Sequence, residues 1–85
     1  MKKDNEKIGD VAHYFTDIEV AIIDLMDDLK LGDKIRVVGA TTDFEQDVTS
    51  MQIEHEEVDK AASGDSIGLK VKKRVREGDE VYKIT

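Results

Sequence analysis

Gly32-Asp33-Lys34-Ile35, Gly64-Asp65-Ser66-Ile67 and Gly78-Asp79-Glu80-Val81 are one device, Gly-Asp-x-(Ile/Val), used three times in a chain of 85 residues. Each copy follows a polar stretch and opens an alternating one. Glycine reaches the positive φ that a tight turn demands, and the neighbouring Asp carboxylate can bond local backbone before a strand starts. The segments that follow, 35–38, 67–71 and 81–84, read as strands. In the second of them Ile67, Leu69 and Val71 point one way while Gly68, Lys70 and Lys72 point the other, which is the alternation of a half-buried strand.

Working outward, residues 8–15 and 18–25 are rich in β-branched and aromatic side chains, with Thr16-Asp17 as a tight connection. Ile18, Ile22, Leu25 and Leu29 also fit a helix over 18–31; Val20, Ile22 and Ile23 make strand the better reading, with Asp27-Asp28 as a turn. Residues 44–55 form the longest strand candidate. Its apolar parity changes between Phe44 and Val48 and Met51 and Ile53, so a bulge or a corner is expected near Thr49-Ser50. Residues 58–63 suit one helical turn. Six short strands with glycine turns, no proline and little helix predict an all-β domain, a small six-stranded antiparallel β-barrel. Residues 1–7, with five charges and one apolar side chain, read as a charged tail, and 8–85 as the single domain. The expected core is Ile8, Val11, Val20, Ile22, Ile35, Val37, Val48, Met51, Ile53, Ile67, Leu69, Val71, Val81 and Ile84, with Met26 as further filler.

Composition narrows the function. The chain has no cysteine, 39% charged residues and a net charge of −7. Disulfide scaffolds and thiolate metal sites are excluded. No apolar run reaches the roughly 18–20 residues that span a bilayer, so no membrane partner is expected and the location read is cytoplasmic.

The charge is polarised. Residues 70–76 hold Lys70, Lys72, Lys73, Arg74 and Arg76, whereas residues 37–59 contain seven acids and neither Lys nor Arg. The basic run can track a phosphate backbone or serve as a solvated, pairing-resistant edge. Asp43, Glu45 and Asp47 alternate on one face, where they would repel one another if unpaired and could dock a basic partner; the alternative is a solubilising face. Asp24, Asp27, Asp28 and Asp33 lack the order of a calcium loop. His13 and His55 have no second histidine at metal-protease spacing, so no metal and no cofactor is expected. The hydroxyls (Thr16, Thr41, Thr42, Thr49, Ser50, Ser63, Ser66, Thr85) sit in no Gly-x-Ser-x-Gly elbow. The chain reads as no enzyme.

In order, Leu31-Gly-Asp-Lys-Ile35, Val48-Thr-Ser-Met-Gln-Ile53, Ala61-Ala-Ser-Gly-Asp-Ser-Ile-Gly-Leu69 and Val75-Arg-Glu-Gly-Asp-Glu-Val81 resemble domain 2 of translational GTPases of the elongation factor Tu type. Residues 8–84 resemble still more the stand-alone translation elongation factor-like proteins. The resemblance also extends to a related barrel at the end of larger enzymes such as U32-type peptidases. It implies a domain-2 type β-barrel and a binding module that contacts RNA, the ribosome or a translation component through residues 70–76. Gly-x-x-x-x-Gly-Lys-(Ser/Thr) and Asn-Lys-x-Asp are absent, so GTP binding is not expected. Where full-length factors carry Gly-Arg-Val, this chain reads Asp17-Ile-Glu-Val20. The alternative function is a protein-interaction adaptor barrel serving a larger enzyme or assembly, without nucleic acid.

Overall fold

The structure is a computed structural model that describes residues 5–84. Met1 to Asp4, most of the expected tail, and Thr85 lie outside the described residues. Ten strands form in chain order: β1 (Asn5–Phe15), β2 (Val20–Leu25), β3 (Leu29–Lys30), β4 (Lys34–Val38), β5 (Asp43–Asp47), β6 (Met51–Ile53), β7 (Glu56–Glu57), β8 (Lys60–Ala61), β9 (Ser66–Lys70) and β10 (Glu80–Ile84). Eight make one antiparallel sheet in the order β5-β4-β10-β1-β2-β9-β6-β7, and β3 pairs with β8 apart from it. No helix occurs among the described residues. Residues 58–63 therefore hold β8 rather than a helical turn, and residues 5–7 are rungs of β1 against β10 rather than tail.

All three Gly-Asp turns are built alike. Gly32, Gly64 and Gly78 have φ of 93°, 95° and 91°. The N–H of Asp33, Asp65 and Asp79 donates to the carbonyl three residues back, at Lys30, Ala62 and Arg76. Each Asp carboxylate in turn accepts the N–H of that same residue, at 3.0, 2.9 and 2.9 Å. Positive φ at the third position alone is the type II arrangement, which only glycine adopts cheaply.

The sheet bends on two bulges in β1, at Ile8 and at Ala12, where the register shifts between Lys7 and Gly9 and between Val11 and His13. This lets one strand pair with β10 and β2 while the sheet curls over the core. The expected six-stranded barrel is corrected here: eight strands share the sheet and its end strands β5 and β7 share no ladder, so it is not closed. Residues 44–55 explain much of the difference. The parity change is a corner, and the chain leaves β5 at one end of the sheet to enter β6 beside β9 near the other.

The core comprises Ile8, Val11, Ile35, Val37, Val48, Met51, Ile67, Leu69, Val71 and Val81, as expected, together with Ala21, Ile23, Leu25, Leu29, Phe44, Ala61 and Val75. The expected phase of β2 is corrected. Ala21, Ile23 and Leu25 face inward, while Val20 and Ile22 are half-buried on the face that carries exposed Asp24. Ile53 and Ile84 are also only half-buried, and Met26 is exposed.

Candidate functional site

The open side of the sheet is bridged by a side chain. Gln46 sits on the inward parity of β5, 9% exposed between Phe44 and Val48. Its Nε2 donates to the Lys70 carbonyl and its Oε1 accepts the Lys72 N–H, both at 2.9 Å. A primary amide presents one donor and one acceptor, as a peptide group does, so Gln46 stands in for a rung between β5 and the end of β9. Around this seam lies a groove of about 590 Å³, lined by Glu19, Lys34, Glu45, Gln46, Asp47, Thr49, Lys70, Val71 and Lys72.

Four of the residues singled out in the sequence thus meet in one groove: Glu45 and Asp47 from the acidic set, Lys70 and Lys72 from the basic set. Asp43 stands apart. Arg36 on β4 grips it through Nε and Nη2, both at 2.9 Å. Those bonds hold the Asp43 carboxyl below the usual carboxylate range and push the Arg36 guanidinium up. Glu45 and Asp47 lie opposite Arg36 and Lys34 in the β4–β5 register. The three alternating acids are therefore answered by bases of the neighbouring strand.

The basic run divides. Lys70 Nζ donates to the Ile18 carbonyl at 3.0 Å and lies 3.8 Å from Glu19. Arg76 Nε donates to Thr41 Oγ1 at 3.0 Å. Lys72, Lys73 and Arg74 are exposed on the loop between buried Val71 and Val75, with no ion pair among the described residues. The hydroxyl candidates are scattered: Ser66 Oγ donates to Asp24 Oδ1 at 2.7 Å, while Thr41 receives Arg76. His13 Nδ1 lies 2.9 Å from Glu77 Oε2, and His55 occupies the β6–β7 turn with φ 69°. No group of three metal-ligating side chains forms among the described residues.

No family model matches the chain. An uncharacterized protease of Methanocaldococcus jannaschii is 46% identical over 77 residues, 89% of this chain and 19% of that protein. A collagenase of Porphyromonas gingivalis is 33% identical over 78 residues, 89% of this chain and 22% of the collagenase. The relatives are proteases by name. This chain spans about a fifth of the length of each.

Solved structures agree on the fold. Two crystal structures of the C-terminal domain of a Geobacillus thermoleovorans protein named as a U32 peptidase superpose with TM-scores of 0.85 and 0.88 at 22% identity. They cover 89% and 94% of this chain, and it covers 96% and 93% of them. The likeness to stand-alone translation elongation factor-like proteins, with its translation and RNA-binding roles, is corrected by these relatives. So is the reading of the chain as no enzyme, because its relatives are named protease and collagenase and point to a peptidase family. Of the resemblances in the sequence, the one to a barrel at the end of larger enzymes is the one whose fold these C-terminal domains share.

Gln46 is the site residue that sequence reasoning missed. Its signal was a polar amide on the apolar parity of Phe44 and Val48, where a buried polar group must find partners.

Proposed function

We propose that this chain is an adaptor β-module serving a U32-type peptidase, with a protein as its partner. The observation that carries this is the 46% identity over 77 residues to a protease of which the match spans 19%. The matching C-terminal-domain fold supports it. The groove supports a protein over a polyanion on physical grounds. Glu45 and Asp47 line the same groove as Lys70 and Lys72, so a phosphate backbone entering there meets carboxylates as well as ammonium groups. A polypeptide surface of both signs suits it better. The test is a chimera of the M. jannaschii protease in which the matching segment is replaced by this chain. Cleavage of a protein substrate at the parent's rate supports the reading. A chimera that folds but cleaves no better than the protease with the segment deleted overturns it.

A further inference from the structure

We draw no further inference here: the strongest candidate, the recess of about 500 Å³ beside the β3–β8 ladder where Lys30 and Lys60 stand directly opposite one another, carries nothing, because Asp28, Asp33 and Asp65 in its lining balance those two lysines and Lys83, and nothing in the structure shows what occupies it.

Discussion

Replacing Gln46 tests how the open sheet is held together. Its amide makes two good hydrogen bonds, to the Lys70 carbonyl and from the Lys72 N–H, each 2.9 Å. A Gln46→Leu change keeps the packing between Phe44 and Val48 and removes both. At about 1 kcal/mol net per bond, the loss is about 2 kcal/mol. In a domain of this size that lowers Tm by roughly 8–16 °C. Gln46→Glu separates hydrogen bonding from packing. Its carboxylate can still accept from Lys72 but has no proton for the Lys70 carbonyl, and it places a charge at a site only 9% exposed. The loss at pH 7 should exceed that of Gln46→Leu and shrink as acid protonates the carboxyl. Urea unfolding followed by circular dichroism measures both variants. If Gln46→Leu lies within about 0.5 kcal/mol of the parent, the amide is not the bridge described and the sheet is held by its core alone.

Three further outcomes follow from the packing and the charges. Ile23→Ala should cost about 2–5 kcal/mol and Ile22→Ala clearly less, because Ile23 is fully buried and Ile22 only half-buried; equal losses in denaturant melts would contradict the observed phase. Gly64→Ala should cost about 1–2 kcal/mol by thermal melting, since its φ of 95° penalises a Cβ that meets no atom within 4 Å. Stability should also fall in acid. Hydrogen bonds from Arg36 hold the Asp43 carboxyl low, and those from Tyr82 and then Lys7 do the same for Glu80. With folded-state values below the unfolded ones, their contribution is full above about pH 4–5 and is lost as pH falls through the folded values. Asp43→Asn and Glu80→Gln together should flatten that acid limb in pH-dependent melts.

The turns were the most legible part of the molecule. Gly-Asp-x-(Ile/Val) predicts a glycine with positive φ and a carboxylate bonded to nearby backbone, and all three copies are built that way. The phase of β2 was expected wrongly, with Val20 and Ile22 inward, although Asp24 shares their parity and marks their face as the outer one. Closure was not readable. Local alternation predicts strands but says nothing of which strands become neighbours, and the corner after Val48 sends β5 and β6 to distant places in one sheet. The same limit applies to the site. Acidic and basic clusters stand out in the sequence, yet Glu45 and Asp47 meet Lys70 and Lys72 only across a seam between residues about 25 positions apart.

The most direct measurement is cleavage of a protein substrate by the M. jannaschii protease lacking its matching 77 residues, while this chain is titrated in. An adaptor β-module predicts that the rate rises and saturates at stoichiometric addition. A rate unchanged by the folded chain, at concentrations well above that of the protease, contradicts it.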